Sequence, residues 1–171
     1  MSKDAHDFFN RIIHDLNKSA IDYIICGGVA VVLHGVERLT MDLDISLDMT
    51  EKNIRSFLDI MKKHNMTPRA PVPADALLDK DIRKAIVDEK GAIVFTFIDT
   101  DKPYKQIDLF LTDDLSFSAL RNDCININHN KDSLTKVLSI DKLIDLKRNV
   151  SPMRQKDIFD VTELEKIKKR L

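Results

Sequence analysis

Two carboxylates separated by one residue mark the first third of the chain. Asp42 and Asp44 alternate with apolar residues that fall on the other face of the segment: Met41, Leu43, Ile45 and Leu47. In a β-strand, residues i and i+2 share a face, so both carboxylates project to the same side. Neighbouring like charges repel unless a counter-charge neutralises them. A divalent cation can do so, because Mg²⁺ prefers carboxylate oxygens.

A pair of glycines precedes this strand, and a third carboxylate follows it. Gly27 and Gly28 interrupt an apolar run and lead into a second short apolar segment. Glycines let backbone N–H groups approach a phosphate, and the N-terminus of a following helix adds favourable electrostatics. Asp108 lies on another alternating segment, opposite Ile107, Leu109 and Leu111. A phosphate cradle with three metal-binding carboxylates predicts a site for a metal–nucleotide complex.

The same residues are compared with two other kinds of binding loop by their spacing. The Asp-x-Asp pattern superficially resembles an EF-hand loop, but Leu47 replaces the required glycine and Asn53 the required glutamate. A P-loop is excluded because no Gly-Lys-Ser/Thr sequence occurs. A solvated strand face without chemistry stays as the alternative for these carboxylates, and is strongest for Asp108 considered alone.

The order of these residues resembles that of a known superfamily. Gly27-Gly28, then Asp42-x-Asp44, then a lone Asp108 between apolar residues is similar to the polymerase-beta-type nucleotidyltransferases. The resemblance implies transfer of a nucleoside monophosphate from a nucleoside triphosphate to a hydroxyl acceptor by a two-metal mechanism using Mg²⁺ or Mn²⁺. In that scheme Asp42 and Asp44 bridge the metals. Asp108 completes the second metal site and takes the proton of the acceptor hydroxyl.

A longer pattern resembles one branch of that superfamily. Residues 27–44 read Gly-Gly-x-Ala-x-x-x-His-Gly-x-x-Arg-x-Thr-x-Asp-x-Asp, which is similar to the AbiEii-type branch of bacterial abortive-infection and toxin–antitoxin systems. The C-terminal pattern Lys147…Arg154-x-x-Asp157-x-x-Asp160 is also similar to it. The branch implies a toxin-like enzyme acting on tRNA or another RNA. The alternative is a catalytically silent nucleotidyltransferase fold that serves as an antitoxin or regulatory subunit.

Several residues are candidates for holding the nucleotide. Gly27 and Gly28 would present backbone amides to the β- and γ-phosphates. Arg38 can bind a phosphate or form an ordinary loop salt bridge. Thr40 can support the strand of Asp42 or the phosphates, and His34 is expected to pack or cap at a helix end.

The C-terminal candidates each have a second interpretation. Lys142 and Lys147 could reach the triphosphate as point charges. Arg154 and Asp157 are one helical turn apart, which also suits an intra-helix ion pair. The resemblance implies that these residues close the nucleotide pocket.

Composition bounds the class of protein. The 171 residues suit one domain with an appendage, and the formal net charge of −1 gives no overall signal for nucleic acid or membrane binding. From residue 139 onward, nine Lys and Arg against six Asp and Glu make a modestly basic segment. The two cysteines and the lack of a signal peptide or a membrane-length apolar run favour a cytoplasmic protein. A partner protein or a dimer could complete substrate recognition.

The alternation of strands and helices predicts an α/β layered domain. The resemblance implies an α/β (α+β) nucleotidyltransferase fold: a mixed, mostly antiparallel sheet flanked by helices, with a short C-terminal helical segment. The expected strands are 23–26, the Asp42 strand, a hairpin of 92–98 and 104–111, and weaker edge strands at 124–128 and 134–138. Helices are expected at 4–18, after a Thr50 cap, at 79–90 and 113–121, and starting at Ser139 and at Ser151-Pro152. Residues 67–73 are expected to form a loop. Residues 1–138 would form the catalytic core and 139–171 a helical segment packed on it.

Overall fold

The computed structural model describes residues 3–130 and 133–170. Its strands are β1 (Tyr23–Ile25), β2 (Asp42–Leu47), β3 (Met66–Pro68), β4 (Val94–Asp99), β5 (Gln106–Phe110), β6 (Cys124–Asn130) and β7 (Ser133–Leu138). Its helices are α1 (Lys3–Lys18), α2 (Gly27–Leu33), α3 (Glu51–Lys63), α4 (Lys80–Lys90), α5 (Phe117–Leu120), α6 (Ile140–Arg148) and α7 (Gln155–Lys168). Short 3₁₀ turns occupy Ala74–Leu78 and Asp113–Leu115.

The strands form one sheet of seven in the order β3-β4-β5-β2-β1-β7-β6. Neighbours are antiparallel except for two parallel pairs, β2 with β5 and β1 with β7. This confirms the predicted mixed, mostly antiparallel sheet flanked by helices. The parallel pairing of β2 with β5 sets Asp44 directly opposite Asp108.

Apolar faces of the helices cover the sheet. On α1 the predicted stripe is buried: Phe8, Phe9, Ile12, Ile13 and Leu16. On α3 the buried residues are Ile54, Phe57, Ile60 and Met61. The apolar face of β2 is buried at Leu43, Ile45 and Leu47, whereas Met41, just before the strand, is 40 % exposed. Burial of this face anchors the strand and leaves its carboxylates on the opposite face.

Helix ends follow local sequence signals in part. Asp79 caps α4 by accepting bonds from the backbone N–H groups of residues 81 and 82, and Gly91 ends that helix in the left-handed conformation. Ser139 caps α6 by accepting from the N–H of Lys142. Thr50 occupies the N-cap position of α3 as predicted, but its side chain makes no capping bond.

Two local predictions were wrong. Ser151-Pro152 does not start a helix; α7 begins at Gln155, with Arg154 at its N-cap. The predicted loop 67–73 is wrong at residues 67 and 68, which belong to β3 and pair with β4, whereas residues 69–73 lie outside the helices and strands. The boundary of β3 depends on this long-range pairing, which a local pattern does not report.

The two C-terminal helices pack on each other. Their buried residues include Leu143 and Ile144 on α6 and Val161 and Leu164 on α7. The division of the chain at residue 138 stays a prediction.

None of the described helices combines the length and the apolar character needed to cross a membrane.

The cap of α6 gives a test of the fold. Ser139→Ala should lower the free energy of unfolding by about 1 kcal/mol, because the N–H of Lys142 loses its partner. Thr50→Ala is the matched control, since Thr50 holds the same helix position without a capping bond, and should cost less than about 0.5 kcal/mol. Urea denaturation measures both. Equal losses would mean that the Ser139 bond does not stabilise α6.

Candidate functional site

Three carboxylates meet on one face of the central strands. Asp42 and Asp44 project from β2 and Asp108 from β5, and each offers an oxygen within 4.8 Å of the others. The parallel register produces this meeting, because Asp44 is paired with Asp108. Asp108 is 8 % exposed and the other two are partly buried. Three residues distant in sequence therefore lie close enough to share a cation.

Neighbouring polar side chains fix the orientation of these carboxylates. Thr96 donates to Oδ1 of Asp108 at 2.6 Å, and the Gln106 amide donates to Oδ2 at 3.0 Å. Thr40 donates to Oδ1 of Asp42 at 3.0 Å. Thr40 thus supports Asp42, which is one of the two roles that the sequence left open for it.

Sequence reasoning missed Thr96 and Gln106. Gln106 is two residues before Asp108 and so shares its face of β5. Thr96 is opposite Asp108 in the hairpin register. The alternation of the strand was enough to predict that Gln106 lies beside Asp108. The position of Thr96 depends on the register of the hairpin, which the sequence did not specify.

The electrostatics of Asp44 indicate unbalanced negative charge. Burial, followed by the charges of Asp42 and Asp108, raises the pKa of Asp44 from 3.8 to about 7. A hydrogen bond from the Gly28 backbone and the charge of Lys147 oppose this rise without cancelling it. A carboxylate set with such a deficit of positive charge suits a hard divalent cation such as Mg²⁺ or Mn²⁺.

The glycine turn lies directly against the carboxylates. A Cβ on Gly27 would be 1.8 Å from Oδ2 of Asp44, and the residue has a φ of +55°. A Cβ on Gly28 would be 2.4 Å from Oγ1 of Thr40 and 3.1 Å from the Arg38 guanidinium. Since no side chain fits at either position, the backbone of the turn lies against Asp44, and the Gly28 backbone donates a hydrogen bond to its carboxylate.

A network of buried ion pairs stands next to this turn. Oδ2 of Asp160 contacts both the Arg38 guanidinium and the Lys147 ammonium, the latter at 2.7 Å. Asp157 contacts Lys147 at 3.2 Å and Arg154 at 2.6 Å. Both aspartates are fully buried. The network joins the segment before β2 to α6 and α7.

The charges in this network reach the acidic cluster. Burial would raise the pKa of Asp157, but hydrogen bonds from Arg154 and Lys147 outweigh it and hold that pKa below its usual value. The pKa of Arg154 is raised, first by Asp157 and also by the charges of Asp44 and Asp42. Lys147 and Arg154 therefore lie within electrostatic range of the carboxylates.

Lys142 and His34, which the sequence analysis also named, make contacts outside this network. Lys142 has its ammonium 3.8 Å from Asp123 and 3.9 Å from Asp145, in a separate group. His34 contacts the backbone carbonyl of Leu138 at 2.7 Å, just after α2 ends. Asp160, the last residue of the C-terminal pattern that the resemblance places at the nucleotide pocket, is the carboxylate that joins Arg38 to Lys147. Its burial could not be read from its spacing on the helix, because exposed helical faces carry the same spacing.

The fold has a counterpart among solved structures. The crystal structure of the lincosamide antibiotic adenylyltransferase LnuA, bound to lincomycin, superposes with a TM-score of 0.62 over 98 % of this chain and 98 % of that one, at 16 % sequence identity. The two chains share a fold. No protein-family model matches the sequence, and no curated protein is significantly similar to it. The AbiEii-type branch is therefore not confirmed, whereas the nucleotidyltransferase fold is.

The close contact at Gly27 can be tested by stability. Gly27→Ala should lower the free energy of unfolding by more than about 3 kcal/mol, since it combines a strained positive φ with a clash against Asp44. Gly91→Ala is the matched control, because Gly91 has a φ of +62° and no atom within 4 Å of an added Cβ. It should cost about 1 kcal/mol. Chemical denaturation of both variants measures the difference, and similar losses would remove the packing argument.

The raised pKa of Asp44 predicts a pH dependence of stability. The folded carboxyl keeps its proton up to about pH 7 and the unfolded one loses it near 3.8, so ionised Asp44 opposes folding and this contribution grows as pH rises between those values. In the presence of a chelator, Asp44→Asn should be the more stable protein at about pH 8, by roughly 2 kcal/mol. At about pH 4 the two should converge. Urea denaturation at several pH values is the measurement; parallel stability curves would show that Asp44 titrates normally.

Proposed function

We propose that this protein is a metal-dependent nucleotidyltransferase that moves a nucleoside monophosphate from a nucleoside triphosphate to a hydroxyl acceptor. One observation supports this above all. Asp42, Asp44 and Asp108 converge within 4.8 Å, directly beside a turn in which Gly27 leaves no room for a side chain. The shared fold with an adenylyltransferase is compatible with it, although likeness of fold alone does not establish an activity.

The carboxylate cluster fits divalent cations. Asp42 and Asp44 would hold them jointly and Asp108 would complete the second position, following the two-metal scheme implied by the resemblance. Bound Mg²⁺ or Mn²⁺ would supply charge neutralisation at the phosphates and would favour ionisation of the attacking hydroxyl. The donor set consists of hard oxygens only, as these cations prefer.

The glycine turn and the basic residues would hold the triphosphate. The backbone amides at Gly27 and Gly28 would bind the β- and γ-phosphates, and Arg38, Lys147 and Arg154 would supply positive charge nearby. A buried carboxylate does not itself bind an anion, so Asp157 would act by positioning Lys147 and Arg154. Asp160 would do the same for Arg38 and Lys147. Lys142, paired with Asp123, would contribute only by a change of rotamer.

The chemistry follows from this arrangement. The acceptor oxygen would form a bond to the α-phosphorus while the bond to the bridging oxygen breaks and pyrophosphate leaves. Asp108 would receive the hydroxyl proton. Thr96 and Gln106 would keep its carboxylate aimed at the reacting centre through the 2.6 and 3.0 Å bonds.

For the acceptor, we propose tRNA or another RNA, in the role of a toxin-like enzyme, on the resemblance of residues 27–44 to the AbiEii-type branch. LnuA, by its description, is an adenylyltransferase of lincosamide antibiotics, and a small-molecule acceptor is the competing outcome of the test. A silent fold serving as antitoxin or regulatory subunit is the other. The presence of all three carboxylates in one cluster argues against silence.

Incubation with Mg²⁺, each α-labelled nucleoside triphosphate and cell extract would identify donor and acceptor together. Asp44→Asn should reduce labelling at least about a hundredfold, because the removed charge is one that holds the cations. Asp88→Asn, at an exposed carboxylate on α4, is the control and should leave labelling unchanged.

Calorimetric titration with Mg²⁺ and nucleotide separates the alternatives. Nucleotide binding without labelling of any acceptor would favour the silent fold. Normal labelling by Asp44→Asn would remove Asp44 from the mechanism.

A further inference from the structure

A row of polar residues crosses the sheet at the level of the acidic cluster. The registers pair Asp44 with Asp108 and Asp108 with Thr96. The backbone N–H of Arg69, just beyond β3, donates to the Thr96 carbonyl at 2.9 Å. Gly27 stands against Asp44 at the other end of the row. The glycine turn and Arg69 therefore lie on opposite sides of the carboxylates.

Arg69 is connected to Asp108 through a single side-chain amide. Its Nη1 donates to Oε1 of Gln106 at 3.4 Å, and Nε2 of Gln106 donates to Oδ2 of Asp108 at 3.0 Å. Because the guanidinium has donors only and the carboxylate oxygen accepts, both partners favour the same orientation of the Gln106 amide. Gln106 in turn separates Arg69 from the carboxylate, so that the two do not form an ion pair.

The guanidinium of Arg69 has capacity for a ligand. The residue is exposed, and among the described residues Gln106 is the one side-chain partner of its five N–H donors. A guanidinium matches the geometry of a phosphate, which it can bind through two parallel hydrogen bonds. A group able to bind phosphate therefore lies at the edge of the site, with the side chain of Gln106 between it and Asp108.

The geometry of phosphoryl transfer assigns this edge to the acceptor. In an in-line displacement the attacking and leaving oxygens lie on opposite sides of the phosphorus. If the leaving pyrophosphate is held at Gly27 and Gly28, the attacking hydroxyl enters from the side of Asp108 and Thr96. Arg69 is an exposed cation on that side of the row.

We propose that Arg69 binds a phosphate of the acceptor and that Gln106 links this contact to the orientation of Asp108. The acceptor is accordingly a polynucleotide, whose terminal hydroxyl and nearest phosphate belong to one nucleotide and can reach Asp108 and Arg69 together. An acceptor without an anionic group would leave this cation unused. This inference rests on the proposed function, because the direction of entry depends on the triphosphate lying at the glycine turn.

The test uses a short fluorescent single-stranded RNA with a free 3′ hydroxyl, bound to the full protein with Mg²⁺ and a non-hydrolysable nucleotide. Fluorescence anisotropy over a range of salt concentrations measures affinity and its salt dependence. Arg69→Ala should weaken binding about three- to tenfold and make the slope of log K against log salt shallower by about 0.7, the loss of one phosphate contact on a single strand. Arg69→Lys should keep most of the slope, and Arg69→Gln should lose it.

Arg55→Ala is the matched control, since Arg55 is an exposed arginine on α3 whose partner is Glu51; it should bind RNA like the natural sequence. Nucleotide affinity, measured separately by calorimetry, should be the same in all variants. An unchanged affinity and salt slope in Arg69→Ala would overturn the proposal. So would a protein that binds nucleotide but no RNA, which would leave the transferase function standing. Failure of the natural sequence to bind any nucleotide would instead overturn the proposed function.

Discussion

Mutual repulsion among three carboxylates held within 4.8 Å is the constraint on which the site depends. The backbone ladder between β2 and β5 fixes Asp44 opposite Asp108, and buried Leu43 and Ile45 anchor the strand from the other face. The backbone positions of Asp44 and Asp108 therefore cannot move apart without disturbing the core. Hydrogen bonds donated by Thr40, Thr96 and Gln106 offset part of this repulsion. The raised pKa of Asp44 reduces the negative charge that its carboxyl carries. The negative charge that remains is one that a cation would neutralise.

A second set of charges makes the site asymmetric. Arg38, Lys147 and Arg154 gather beside the glycine turn, and Asp157 and Asp160 hold them from within the protein. Ionised side chains are rarely fully buried unless they are paired, and losing one partner of a buried pair costs several kcal/mol. The packing of Val161 and Leu164 brings these aspartates into the interior. The C-terminal helices thus bring charge to the site as well as apolar surface to the core.

The polar row across the sheet gives each end of the site a different chemistry. The Arg38 guanidinium lies beside Gly28 at one end, whereas the exposed guanidinium of Arg69 lies beyond Thr96 at the other. The proposed transfer would need different groups at the two ends, because donor and acceptor must be recognised separately and presented to each other in line. Proteins that share a fold can differ in the groups at the two ends of the site, because side chains at the sheet edges can change without altering the central strands.

Features that depend on local period and local chemistry could be predicted from the sequence alone. Alternation placed Asp42 and Asp44 on one face, Gly27 and Gly28 marked the turn, and Ser139 marked a helix start, because each signal is carried by residues within one or two turns of one another. The resemblance of the motif also predicted the nucleotidyltransferase fold. The site residues, the branch and the domain boundary remain predictions.

Which distant groups meet depends on the three-dimensional packing of the chain. The parallel pairing of β2 with β5, the hairpin register that brings Thr96 to Asp108, and the approach of Arg69 through Gln106 all depend on strand order. The same holds for Asp160, whose helical spacing is equally compatible with an exposed ion pair, and for Lys142, whose partner Asp123 lies just before β6. Such contacts join residues far apart in the chain. The way in which buried surfaces fit together determines which of these contacts form. The pattern of a single segment does not contain that information.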